Sequence, residues 1–113
     1  MAIEIHDLRE AGRLEAREEG ELVGSLAYFV LAAAPHALVA VHTVVEPGQE
    51  GRGIGGQLVA RFYETAAEEQ VPVVPLCPYA AAWAARHPDR APAADPATVT
   101  AATAELEADP RRW

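Results

Sequence analysis

The chain has 113 residues, nine basic against seventeen acidic for a formal net charge of −8, and half of its residues are hydrophobic. That length suits one domain, and the composition is too apolar for a disordered chain. The start, Met1-Ala2-Ile3-Glu4-Ile5-His6-Asp7, lacks the basic residues and apolar stretch of a secretory signal, and no apolar run reaches the roughly 18 residues that span a bilayer, so a cytoplasmic chain without membrane attachment is expected. All nine basic residues are arginine, which excludes a lysine-dependent phosphate loop, and the acidic balance without a concentrated basic face argues against nucleic acid. The single cysteine, Cys77, can form neither an internal disulfide nor, alone, a zinc site, and no metal is expected.

Ile3 to Val45 reads mostly as strand. Gly12 to Glu18 alternates small or apolar with charged residues, as a half-solvated antiparallel strand does, and Glu19-Gly20-Glu21 supplies the turn of a hairpin. Leu22 to Ala33 is a second, more apolar run that stops at Ala34-Pro35-His36. Ala37 to Val45 is nearly continuous and β-branched, the pattern of a central strand covered on both faces. After Glu46 to Glu50, Ile54, Leu58, Phe62 and Ala66 recur at one-turn intervals, predicting a helix from about Gly53 to Glu69. Val71 to Leu76 is a short apolar segment whose prolines suit a strand with an irregular end, and the order strand, helix, strand implies a parallel crossover. Pro78 opens an alanine-rich helix through His87 that Pro88 halts. The expected domain is residues 1–90. Residues 91–113 form an Ala/Pro-rich tail in which Asp95-Pro96 can cap a short helix to Ala108, either frayed or docked.

Gln49-Glu50-Gly51-Arg52-Gly53-Ile54-Gly55-Gly56 joins the predicted buried strand to a helix N-terminus. Its glycines let a ligand approach the main chain, and free N–H groups and the positive end of the helix dipole point at the same place, as in an anion cradle. Arg52 is the positive side chain of this loop. A dinucleotide fingerprint also fits Gly51, Gly53 and Gly56, but it requires an acidic residue at the end of the next strand, where this chain has Leu76-Cys77-Pro78. A glycine turn without a ligand is the remaining plain reading.

A buried strand, then Arg-Gly-x-Gly-Ile-Gly, then an amphipathic helix resembles the pyrophosphate-binding motif of the GNAT superfamily of acyl-CoA N-acetyltransferases, Q/R-x-x-G-x-G/A. His42-Thr43-Val44-Val45, the glycine loop, Val74-Pro75-Leu76-Cys77-Pro78 and Arg86-His87-Pro88, in this order, are similar to the small single-domain GNAT-like family over about Glu4 to Arg90. One departure is Glu50, where the motif has Gln or Arg. The resemblance implies an α+β fold, with antiparallel strands leading into a central mixed sheet, a parallel crossover and two main helices. It implies acetyl-CoA as acyl donor, its pyrophosphate on Glu50, Gly51, Arg52, Gly53, Ile54, Gly55 and Gly56, and strand N–H groups near Val44 and Val45 facing the thioester oxygen. The acceptor would be a small-molecule or peptide amine. A non-catalytic acyl-CoA-binding or partner-binding module is the alternative.

Two residues carry the expected chemistry. Cys77, at a strand end and before a helix N-terminus, sits where the dipole favours the thiolate, although a lone cysteine is also commonly inert and buried. His42 is expected, by strict alternation, to share a face with Ala40 and Val44, and is either a core histidine satisfied by backbone or a base. Family members place a cysteine and a histidine similarly, which makes His42 a candidate base and Cys77 a nucleophile, a proton carrier or a structural residue. Tyr79 and Trp83 share one helix face and read as packing residues; in larger members a tyrosine of this helix is the proton donor, and Trp83 aligns there.

Overall fold

Backbone chemistry at three positions sets the strand boundaries. The computed structural model describes residues 3–32 and 36–109. Gly12 (φ 72°) ends a short 3-10 turn after β1 (Ile3–Leu8), and Glu19 and Gly20 (φ 53° and 84°) put both central hairpin residues in the left-handed region. These turns deliver β2 (Arg13–Glu18) and β3 (Glu21–Val30), followed by β4 (Leu38–Val45). The four strands are sequential antiparallel neighbours, and β5 (Val73–Pro75) adds in parallel beside β4 after the crossover through α1 (Ile54–Glu69). α2 (Pro78–Arg86) and α3 (Pro96–Ala108) complete a mixed α+β architecture, as expected. The expected run to Ala33 is shorter, β3 ending at Val30; Ala33, Ala34 and Pro35 lie outside the described residues, as do 110–113.

α1 and α2 cover one face. Ile54, Leu58 and Phe62 of α1 and Ala80 and Trp83 of α2 join Leu14, Leu26, Tyr28, Leu38 and Ala40 of the sheet in one apolar cluster. α3 covers part of the other face, with Ala102 fully buried in a cluster with Phe29, Leu31, Val39 and Val74. The segment beyond Arg90 is thus docked where the strands present a second apolar surface, and Asp95 accepts the Ala97 N–H at its first turn (3.5 Å). No helix among the described residues is long and apolar enough to cross a membrane.

β4 departs from the strict alternation read from its sequence. Ala27 pairs with His42 but Tyr28 pairs with Ala40, so Val41 is an extra residue that reverses the alternation along the strand. Ala40 belongs to the cluster under α1 and α2, and Val41 packs with the α3 cluster. Beyond the bulge, Thr43 and Val45 turn toward the α1–α2 face, while His42 and Val44 are exposed on the opposite one. His42 therefore shares a face with Val44 but not with Ala40, and it is no core histidine. The strand is covered on both faces only along Leu38–Ala40.

Candidate functional site

The sheet opens beyond Ala40. β5 is three residues long and pairs with Leu38, Val39 and Ala40 alone. The Ala40 carbonyl then accepts both the Leu76 and the Cys77 N–H, each at 3.0 Å, after which the chain leaves β4 to start α2. Beyond this point that edge of β4 has no strand partner among the described residues. The Glu46 N–H is bonded to the Val23 carbonyl (3.0 Å), and the Val44 carbonyl lies against Gly24, so residues 44 and 46 aim their main-chain groups at β3. By alternation, Thr43 and Val45 aim theirs at the open edge. Of the two amides expected at this place, Val45 presents its N–H to the split, and Val44 is turned to the neighbouring strand.

Cys77 closes the base of the split. It is 2 % exposed, and its Sγ is 3.5 Å from the Thr43 Oγ1. Thr43 is not singled out by the sequence, because the flipped alternation that aims its side chain at Cys77 depends on the bulge at Val41. His42, one residue earlier, is on the far side of the sheet. The two candidates thus flank the split from opposite faces rather than meeting.

The glycine loop leads directly to this place. Gly51 and Gly53 have φ of 81° and 77°, and a β-carbon at either would meet open space, so glycine is there for its backbone. Gly53 is the N-cap of α1, has no side chain to cap with, and no acidic residue occupies the first turn. The first-turn N–H groups therefore point outward without a side-chain acceptor, which is the donor set a diphosphate requires. Ile54 contributes only its main chain, since its side chain is buried against Gly24. Gly55 serves a different purpose: a β-carbon there would come within 2.7 Å of the Tyr79 ring and hydroxyl, so its bareness admits Tyr79 to the α1 N-terminus. Gly56 faces Trp83 at 3.9 Å.

The positive charge of the loop is already neutralised. Arg52 is held bidentately by Glu18 at 2.9 and 2.7 Å and also by Gln49. The hydrogen bond to Glu18 raises the guanidinium pKa from its ordinary value, and Arg52 in turn lowers that of Glu18. Glu50 accepts the Gly48 N–H at 3.0 Å, bracing the loop. What the loop offers outward is thus main-chain N–H groups rather than a free charged side chain. Trp83 stacks between Tyr63 (5.5 Å) and His87 (4.3 Å), with Arg90 over its ring, so it joins α1 to α2 as a packing residue. Among the described residues no group of three His, Cys, Asp or Glu side chains is placed to hold a metal ion.

Comparison with known proteins agrees with this fold. The family model of GCN5-related N-acetyl-transferases matches residues 13–93, from the start of β2 to the linker before α3. A comparison with curated proteins finds no match. Among solved structures, the chain is similar to a ribosomal-protein-alanine N-acetyltransferase from Brucella melitensis biovar Abortus 2308, with a TM-score of 0.55 and 26% identity over 74% of this chain and 64% of that one. It is also similar to the aminoglycoside acetyltransferase HMB0005 from an uncultured soil metagenomic sample, with a TM-score of 0.50 and 28% identity over 55% of this chain and 43% of that one. The chain thus spans less than two thirds of the length of either protein. With a matched family model over most of its length and a sheet that splits beside a glycine-capped helix, the chain belongs to the GCN5-related N-acetyltransferase family.

Proposed function

We propose that the protein is an acetyl-CoA-dependent N-acetyltransferase acting on a small-molecule or peptide amine in the cytoplasm. The observation that carries this reading is the uncapped α1 N-terminus, approached through left-handed Gly51 and Gly53, directly beside the unpaired edge of β4. Its donor set fits the coenzyme diphosphate, which the main-chain amides of residues 51–56 would hold. Acetyl-CoA supplies an activated acyl group as a thioester. The chain's own residues orient it and manage protons: the Val45 N–H, aimed at the split, stabilises negative charge on an acyl oxygen, and Cys77 with Thr43 closes the helix side. His42, exposed at the other side, is the group able to take a proton from an amine arriving from the open face. Cys77 either hands a proton to the departing thiolate or receives the acyl group, with its own thiol proton then leaving to solvent.

The test joins calorimetry with turnover. Coenzyme A and acetyl-CoA are expected to bind the wild type, and replacing Gly53 with valine should weaken that binding because it strains the α1 N-cap. With amino acids, polyamines and lysine peptides as acceptors, thiol release is expected to fall on the order of 10²-fold or more in His42→Ala. Binding without turnover on any acceptor would favour the non-catalytic module. Turnover that survives both His42→Ala and Cys77→Ala would refute the residue assignments, and absence of coenzyme binding by folded protein would refute the reading itself.

A further inference from the structure

The part of the second sheet face that α3 leaves uncovered carries a feature that acyl transfer to a generic amine does not need. Arg13, Ala27 and His42 are successive cross-strand partners on β2, β3 and β4, so they form one row on one face. Glu15 and Ser25 form the adjacent row. Because Ala27 and Ser25 are small, β3 stands lower here than the side chains of its neighbours, a trough with His42 on one side and the β2 residues on the other. In that second wall Glu15 is buried, although it is a carboxylate on a solvated face. Both its oxygens are used: Oε2 accepts from Arg13 Nε (2.7 Å), and Oε1 accepts from Arg17 Nε and Nη2 (3.0 and 2.9 Å). Arg17 spends its remaining reach on the Gly20 carbonyl at 2.9 Å. Arg13 engages Glu15 through Nε alone, so both its Nη groups face outward without a protein partner among the described residues, on a side chain 48% exposed.

Arg17 is matched by Glu15 and has Glu4 as its cross-strand neighbour, so the cationic group left facing the trough is the outer end of Arg13. We infer that this trough is the acceptor site and that it selects amines carrying a carboxylate, with Arg13 binding the carboxylate while His42 faces the amine. The inference rests on the acetyltransferase reading given above. Glu15 acts as a brace that fixes the Arg13 fork, the geometry that favours paired contacts to a planar anion. The wall-to-wall separation is two strand spacings, roughly 9.5 Å. An extended tripeptide spans about this length, from its N-terminal amine to the side chain of its third residue.

The probes are the tripeptide amides Ala-Ala-Asp-NH2 and Ala-Ala-Asn-NH2, which differ only in the distal carboxylate. Binding is read from the arginine Nε–H signals by NMR, with and without coenzyme A, and kinetics from thiol release. The aspartyl peptide is expected to bind on the order of tenfold more tightly, with a correspondingly lower KM and unchanged kcat. Arg13→Gln should erase the preference and Arg13→Lys should keep part of it, while coenzyme binding stays at the wild-type level. A purely structural Arg13–Glu15–Arg17 brace would not discriminate acid from amide. Equal binding of the two peptides by the wild type, or a preference that survives Arg13→Gln, overturns the inference. The NMR arm without coenzyme reads the trough alone, so a failure of acetyl-CoA to bind is distinguishable as a failure of the acetyltransferase reading.

Discussion

The two halves of β4 belong to one continuous strand and have opposite fates. Leu38-Val39-Ala40 is flanked by β3 and β5 and buried on both faces, and its main chain is fully engaged. Thr43-Val44-Val45 is β-branched at every position and so the stronger strand former, yet one of its edges is open and its side chains alternate between the side of Cys77 and solvent. A bulge at Val41 and the early end of β5 separate them. Local propensity therefore makes the strand, and the length of its neighbour decides which half remains free to meet a ligand.

The largest expected effect lies in the paired half. Leu38→Ala should destabilise the protein by about 2–5 kcal/mol in urea unfolding, because Leu38 is fully buried and its site cannot collapse easily. A change below about 1 kcal/mol would mean that this half is less rigid than its burial suggests. Gly24→Ala probes the seam between the halves from β3. Its β-carbon would fall 2.8 Å from Ile54 Cγ2 and 3.1 Å from the Val44 carbonyl, so a loss of about 1–3 kcal/mol is expected, with weakened coenzyme binding as α1 shifts. Gly53→Ala acts at the loop that feeds the open half. There is room for the methyl group, but φ is 77°, so about 1 kcal/mol is expected from backbone strain.

Two smaller effects sharpen the contrast. Glu15 is held below the ordinary carboxylate range chiefly by its hydrogen bond from Arg13, against desolvation. A depressed folded-state value means that its contribution is present above the unfolded value near 4.5 and is lost as pH falls below it. Stability measured from pH 6 to 3 should therefore fall less steeply in Glu15→Gln than in the wild type. Val44→Ala, in the open half and 43% exposed, should stay within about 0.5 kcal/mol of the wild type.

Much of this architecture is legible in the sequence. The one-turn spacing of Ile54, Leu58 and Phe62 gives α1 to within a residue, and Pro78 marks the start of α2 because a proline costs least where no N–H is needed. The bulge was not legible, since a period-two reading of an unbroken apolar run has no signal for an inserted residue, and it therefore misassigned the face of His42 and overlooked Thr43. The neutralisation of Arg52 was equally hidden. Glu18 lies 34 positions away, and only the register of β2 and β3 brings the two together. The docking of α3 depended on Phe29 and Val39 forming a second apolar surface, which depends on pairings made elsewhere in the sheet.

The stack of Tyr63, Trp83 and His87 has a practical consequence. The chain holds two tryptophans, and Trp83 is wedged between the helix that begins at the glycine loop and the helix that begins at Cys77. Replacing Trp113 with phenylalanine would leave one indole, whose emission reports any sliding of those two helices during ligand capture. The fold thus comes with its own optical gauge.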